Sequence, residues 1–223
     1  MDDKKQLVAK EAIKYVESGM TLGLGSGSTV EWFLKYLSDE MKLGLNIVGV
    51  PTSKKTERLA NHYGIPLVEL AKETTIDLAV DGADLVFSDL NLLKGGGGSL
   101  VREKLIDWIA EKLVIIVDDS KMVNQSGQFE VPVEVLSFGW EKTKELIEAQ
   151  GYTCQLRVIN DETFISDNGN FILDCKVDKL YDLNRAHIYL KQITGVVDTG
   201  LFVNMVDLVM IGDKHGVREM NGS

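Results

Sequence analysis

Apolar positions along the chain follow two periods. Short apolar runs bounded by turn residues read as buried strands, and stretches with apolar residues three and four apart read as amphipathic helices. Val8, Ala12, Tyr15 and Val16 recur at helical spacing over 4–17, and Ser18-Gly19 stops the pattern. A strand over 21–24 follows, then a helix over 30–37, a strand over 45–50, an exposed polar helix over 52–63 ended by Gly64, and strands over 65–70 and 76–80. A helix over 100–112, with Ser99 as its N-cap, and a strand over 113–117 continue the alternation. Strands and helices alternating at these lengths predict a mostly parallel sheet covered on both faces.

From about residue 128 the rhythm changes. A strand over 131–135, a helix over 140–149, strands over 153–159 and 170–175 around the turn Ser166-Asp167-Asn168-Gly169, a helix over 183–193 and a strand over 196–202 give the order βαββαβ. That order is the pattern of a ferredoxin-like module. The expected architecture is therefore α/β: a mostly parallel sheet domain over 1–127 and 204–223, ending in a strand over 208–211, with a smaller α+β domain inserted over 128–203.

Composition narrows the function classes. The 223 residues are 44% hydrophobic, enough to bury a sizeable core. A formal net charge of -10 argues against non-specific nucleic-acid binding, and it means that an anionic ligand needs a local cationic site. The first residues lack the apolar core of a signal peptide, and no apolar run is long enough to cross a bilayer, so the expectation is a cytoplasmic protein without a membrane partner. Cys154 and Cys175 have neither CxxC nor His-paired metal spacing and read as small buried apolar side chains.

Candidate chemistry concentrates in Asp81-Gly82-Ala83-Asp84, in Lys94-Gly95-Gly96-Gly97-Gly98 and at Glu103. The aspartates fall at the C-terminal end of an expected strand, the edge where open α/β sheets bind ligands. Successive glycines allow φ > 0 and let a ligand reach backbone N–H groups without a Cβ in the way. Glu103 falls in the first turn of its helix, where the dipole favours the carboxylate that a general base must be.

A second motif is Gly23-Leu24-Gly25-Ser26-Gly27-Ser28-Thr29, a strand running through a glycine loop into a helix. Unpaired helix N–H groups and the hydroxyls of Ser26, Ser28 and Thr29 make this an anion site. Ser28 stands where a dinucleotide fingerprint has its third glycine, the next strand ends in Pro51-Thr52-Ser53 rather than an acid, and the Gly-Lys-Ser/Thr of a Walker A loop is absent. A phosphate monoester on a small substrate remains. Lys121, in Asp118-Asp119-Ser120-Lys121, arrives on the same sheet edge as a phosphate contact.

With these motifs placed, the chain resembles the ribose-5-phosphate isomerases of type A. The resemblance covers most of the chain and rests on short islands in the family's order and spacing: Gly25-Ser26-Gly27-Ser28-Thr29, Asp81-Gly82-Ala83-Asp84, Lys94-Gly95-Gly96-Gly97, Arg102-Glu103-Lys104, Asp119-Ser120-Lys121, Pro132-Val133-Glu134-Val135, Asp167-Asn168-Gly169-Asn170 and Gly200-Leu201-Phe202. It departs at Leu85, where an acid is frequent in the family, and at Gly98-Ser99, where two alanines are common. The resemblance implies a Rossmann-like domain with a ferredoxin-like lid and oligomerisation domain, assembled as a homodimer or homotetramer. It also implies interconversion of D-ribose 5-phosphate and D-ribulose 5-phosphate, in the non-oxidative pentose phosphate pathway, with no metal or organic cofactor.

By the same resemblance Glu103 is the base, and Lys94 with the N–H groups of Gly95, Gly96 and Gly97 holds the developing oxyanion. Asp81 and Asp84, with Gly82 and Ala83 between them, contact the sugar, handle hydroxyl protons and assist ring opening. Ser26, Gly27, Ser28, Thr29 and Lys121 hold the anionic end. Neighbouring Asp81 and Asp84 are expected to raise the proton affinity of Glu103 while the helix N-terminus keeps it ionised. Asp81 with Asp84 could instead supply Mg²⁺ ligands, a reading weakened by the positive charge that Lys94 already brings. The competing readings are a non-catalytic sugar-phosphate sensor and, behind it, a nucleotide-dependent oxidoreductase.

Overall fold

A computed structural model describes residues 2–123, 129–177 and 182–222. The chain is mixed α/β and divides into two compact units, Met1–Ala83 with Arg102–Met122 and Met205–Ser223, and Asp84–Val101 with Val123–Asn204. Residues 84–101 thus group with the second unit, and the boundary expected at 127/128 lies outside the described residues. Among the described residues no helix is long and apolar enough to cross a membrane.

The first unit is built on a six-stranded sheet in the order Gly216–Asn221, Leu208–Asp213, Leu113–Asp118, Leu78–Asp81, Thr21–Leu24, Val48–Pro51. Its neighbours are parallel except for the edge hairpin that adds Gly216–Asn221. That last strand was not expected from the sequence, because none of its residues is fully buried and no apolar run announces it.

Strand periodicity divides the side chains between two faces. Leu22, Leu24, Leu78, Val80, Val114, Ile116, Leu208 and Met210 pack under Val8 and Ala12 of α1 (Asp2–Ala12), Phe33 and Leu37 of α2 (Ser28–Lys42) and Ala60 of α3 (Lys54–His62). On the other face Ile106 of α4 (Leu100–Ile109) lies against Gly23, where an added Cβ would come within 2.7 Å of the Ile106 methyl. Glycine at 23 therefore sets how closely the helix that carries Glu103 approaches the sheet.

Several expected boundaries shift for local reasons. The helix expected over 100–112 ends at Ile109, because Ala110 bridges to Ile76 and the Glu111 N–H donates to the Ile76 carbonyl at 2.8 Å. The strand expected over 65–70 is only an isolated bridge between Gly49 and Leu67, since Pro66 has no N–H to extend the pairing. The opening helix ends at Ala12 and passes into a 3₁₀ turn over Ile13–Tyr15.

In the second unit a four-stranded antiparallel sheet runs Val196–Thr199, Phe129–Val135, Phe171–Val177, Thr153–Leu156. Val131, Val133, Val135, Leu173 and Cys175 form its core with Ile147 of α5 (Trp140–Glu148) and Leu190 of α6 (Leu183–Lys191). The strands expected over 153–159 and 196–202 each break, at Arg157 and at Gly200. After Gly200 the chain leaves the sheet, and Leu201–Phe202 pairs with Leu92–Leu93, which in turn pairs with Leu85–Phe87. These short strands carry too few residues to show a period in sequence.

Phe33 is fully buried in the first core, so Phe33→Ala should cost about 3–5 kcal/mol in denaturant unfolding. Leu43→Ala, at a position 81% exposed, should stay within about 0.5 kcal/mol of the parent.

Candidate active site

The anion loop of the first unit is shaped by one carboxylate. Thr21–Leu24 ends beside Leu78–Asp81, and a Cβ on Gly25 would lie 2.2 Å from Asp81 Oδ1, so only glycine fits there. Asp81 is fully buried, and its Oδ1 accepts the N–H groups of Ser26 at 2.8 Å and Gly82 at 2.6 Å. Ser26 Oγ joins a hydroxyl cluster with Thr52 Oγ1 (2.9 Å), Ser53 Oγ (2.9 Å) and Thr56 Oγ1 (3.0 Å). Thr56 Oγ1 donates to the Gly25 carbonyl at 2.8 Å, and Ser53 caps α3 by accepting the Thr56 N–H at 3.0 Å. The hydroxyl of Ser26 thus ties its loop to the start of α3, a role the sequence did not suggest. Gly27, with φ +107, is the N-cap of α2 and offers no side-chain cap, so the first amides of that helix have no cap from it.

Two lysines of α1 reach this edge. Lys5 Nζ donates to Ser28 Oγ at 2.9 Å, while Lys4 Nζ contacts both carboxylate oxygens of Asp119 at 2.7 and 2.8 Å. Asp119 opens the 3₁₀ turn Asp119–Lys121, whose N-cap Asp118 accepts the Ser120 N–H at 3.0 Å. Lys121 is half-buried at its end. Lys5 is a functional candidate that sequence reasoning missed, since a Lys4-Lys5 pair on an amphipathic helix reads as solvated charge. The hydrogen bond to Asp119 raises the pKa of Lys4, and the same contact lowers that of Asp119. Thr29, next to Ser28 in the first turn of α2, is buried.

Glu103 lies in the first turn of α4 and is 6% exposed. Burial together with the helix dipole places its carboxylate where charge interactions are weakly screened.

In the second unit Lys94 is nearly fully buried, with its Nζ 5.3 Å from the Phe202 ring centroid. Its backbone N–H donates to the Gly200 carbonyl at 2.8 Å, and the Gly200 N–H donates to the Pro132 carbonyl at 2.6 Å. A Cβ on Gly200 would fall 2.2 Å from the Lys94 carbonyl oxygen. The Pro132 and Gly200-Leu201-Phe202 islands therefore fix where Lys94 sits.

The glycine loop after it turns through Gly95 (φ +96) and Gly98 (φ +80), closed by Gly98 N–H to Gly95 carbonyl at 2.9 Å. The Gly96 N–H donates to Asp84 Oδ2 at 2.7 Å. At Gly98 and Leu85 the departures from the family pattern have local causes. Phe164 lies 2.3 Å from where a Cβ on Gly98 would be, at a φ that disfavours alanine, and Leu85 pairs with Leu93 and packs on the second core. A cavity of about 450 Å³ in this unit is lined by Asp84, Gly96, Glu130, Pro132, Arg157 and Asp174, among others. Among the described residues no group of three or more His, Cys, Asp or Glu is arranged to hold a metal ion.

In the first unit, a parallel α/β sheet whose first strand runs through a glycine loop into the uncapped start of α2 has the arrangement of α/β proteins that bind small anionic ligands at their strand ends. Comparison with known proteins narrows that class. The family model for ribose 5-phosphate isomerase A (phosphoriboisomerase A) matches residues 48–216. A ribose-5-phosphate isomerase A of Oceanobacillus iheyensis is 47% identical over 94% of this chain and 94% of its own length. The solved ribose 5-phosphate isomerase of Plasmodium falciparum superposes with a TM-score of 0.96 at 41% identity, over 100% of both chains. A D-ribose-5-phosphate isomerase solved in complex with phospho-erythronic acid superposes with a TM-score of 0.94 at 38% identity, covering 99% of this chain and 98% of that one. The chain belongs to the ribose 5-phosphate isomerase A family.

The tie between Lys4 and Asp119 gives a titration to check. A lowered Asp119 pKa contributes stability above the ordinary carboxylate range that is lost as pH falls through the lowered value, and the raised Lys4 pKa contributes below 10.5 and is lost above it. The tie should therefore persist through neutral pH. NMR titration should place the Asp119 carboxyl midpoint below 3.8, and Lys4→Ala should return it toward that value.

Proposed function

We propose that this chain interconverts D-ribose 5-phosphate and D-ribulose 5-phosphate as an aldose-ketose isomerase, with the residues named above as its working parts. The observation that carries the reading is the identity of 47% over 94% of the chain to a protein named for that reaction. Moving the carbonyl from C1 to C2 requires removal of the C2 proton, stabilisation of the enediolate and return of a proton to C1.

Glu103 takes the C2 proton and delivers it to C1. Lys94 and the N–H groups of Gly95 and Gly97 hold the oxyanion, while the Gly96 N–H, expected to join them, is taken by Asp84 at 2.7 Å; the near-complete burial of Lys94 makes its charge count for more than it would in water. Asp84 and Asp81, with Gly82 and Ala83 between them, manage hydroxyl protons and ring opening. The hydrogen bonds of Asp81 support a further role in shaping the anion loop. Ser26, Gly27, Ser28 and Thr29 with Lys121 hold the phosphate, and Lys5 on Ser28 supports adding a second cation to that end. No metal or organic cofactor enters the reaction.

The finer architecture belongs to the same reading. The first unit is Rossmann-like, and the βαββαβ order of the second, with its last strand beside its first and its second strand at the far edge, supports a ferredoxin-like lid and oligomerisation module. The protein works in the cytoplasm as a homodimer or homotetramer.

EDTA-treated protein should turn over ribose 5-phosphate, and Glu103→Gln should lower kcat by about 10²–10⁴-fold with KM nearly unchanged. If the wild type fails even after metal re-addition while ribose 5-phosphate still protects it against heating, the sensor reading replaces catalysis. Lys5→Ala should raise KM about tenfold or more while leaving kcat in place, since a charge-assisted contact is worth about 1.5–3 kcal/mol.

A further inference from the structure

Arg157 stands at the break between Thr153–Leu156 and Val158–Ile159, where its N–H donates to the Ile172 carbonyl at 2.9 Å. Its guanidinium makes two sets of contacts. Nε donates to Asp174 Oδ2 at 2.9 Å and Nη2 donates to Asp174 Oδ1, a fork in which the side chains are 11% and 19% exposed. The remaining nitrogen, Nη1, bridges two successive carbonyls of the glycine loop, Gly95 at 2.8 Å and Gly96 at 3.1 Å. The Phe164 ring, 5.9 Å from Cζ, flanks the same group.

We propose that Arg157, held by Asp174, is a positioning residue that sets the direction of the loop's amide groups and so keeps the oxyanion site formed. The proposal rests on the reading of that loop as the oxyanion site. A trans peptide is a rigid plane with its C=O and N–H pointing opposite ways, so holding a carbonyl aims the next residue's N–H. The plane joining Gly95 and Gly96 is clamped at both ends, by Arg157 on the oxygen and by Asp84 on the N–H. Holding the Gly96 carbonyl turns the Gly97 N–H away from the guanidinium, at an exposed residue with open space around it. Consecutive glycines offer almost no steric resistance to rotation of these planes, so the restraint has to come from outside the loop. Lysine keeps the charge but has one compact ammonium, which cannot hold the carboxylate and both carbonyls at once.

The test compares the full-length wild type with Arg157→Lys, Arg157→Ala and Asp174→Asn. Arg157→Lys should lower kcat by about 10–10³-fold, the range for loss of oxyanion donors, with KM within twofold. Its affinity for phospho-erythronic acid should fall more than its affinity for ribose 5-phosphate, and hydrogen exchange of the 95–98 amides should speed up in the folded protein. Asp174→Asn should show a weaker form of the same pattern. Guanidinium chloride at low concentration should restore part of the activity of Arg157→Ala, an effect that a purely structural role would not produce.

A kcat within twofold of the wild type in Arg157→Lys, with unchanged exchange, overturns the proposal. So does a raised KM at constant kcat, which would make Arg157 a direct substrate contact. If the wild type does not isomerise ribose 5-phosphate, the functional reading has failed, and amide exchange at 95–98 in Arg157→Lys judges the positioning role by itself.

Discussion

The approach of two parallel strand ends around the buried carboxylate of Asp81 is the constraint on which the first unit's chemistry depends. The carboxylate occupies the space that a side chain on Gly25 would need, and it accepts amides from both strand ends. Buried polar groups must be hydrogen-bonded, so the loop cannot move without stranding an acid in the core. With the loop held, α2 starts at a fixed point with uncapped amides, and Ser26 can link it to α3 through a cluster of hydroxyls. One interaction therefore serves both as packing and as the frame of the glycine loop.

The second unit solves a harder version of the same problem, because a run of glycines has no side chains with which to hold itself. Its restraints come from elsewhere in the unit. Gly200 lies against the Lys94 backbone, Phe164 fills the space beside Gly98, Asp84 takes one amide, and Arg157 takes two carbonyls. The loop leaves Gly97 exposed with open space around it, while its order is supplied by larger residues elsewhere in the unit.

Electrostatics is organised locally against a chain that is acidic as a whole. With a net charge of -10, an anionic molecule is repelled at long range; the first unit nevertheless gathers Lys4 and Lys5 of α1 and Lys121 at one sheet edge, and the second withdraws Lys94 from water. Lys4 engages Asp119 and so anchors the turn that ends in Lys121.

Much of this was readable in the sequence, because hydrophobic period and turn chemistry act locally. The strand at 21–24, the helices expected at 30–37, 52–63 and 140–149, the first of which runs on to Lys42, the glycine loop between strand and helix, and the placing of Asp81 at a strand end and Glu103 in a helix first turn all follow from neighbours within a few residues. The short strands at 85–87 and 92–93, the breaks at Arg157 and Gly200, and the edge strand at 216–221 were not readable, since each exists only through a partner distant in the chain. The same holds for the contacts that position the site: Lys5 on Ser28, Ser26 on Thr52, Ser53 and Thr56, Gly200 on Lys94, and Arg157 on the glycine loop. By itself the sequence determined the α/β class and the family, because those depend on residue type and local spacing. Only the tertiary structure decided what holds the candidate groups in place, because a side chain's reach across space leaves no periodic trace along the chain.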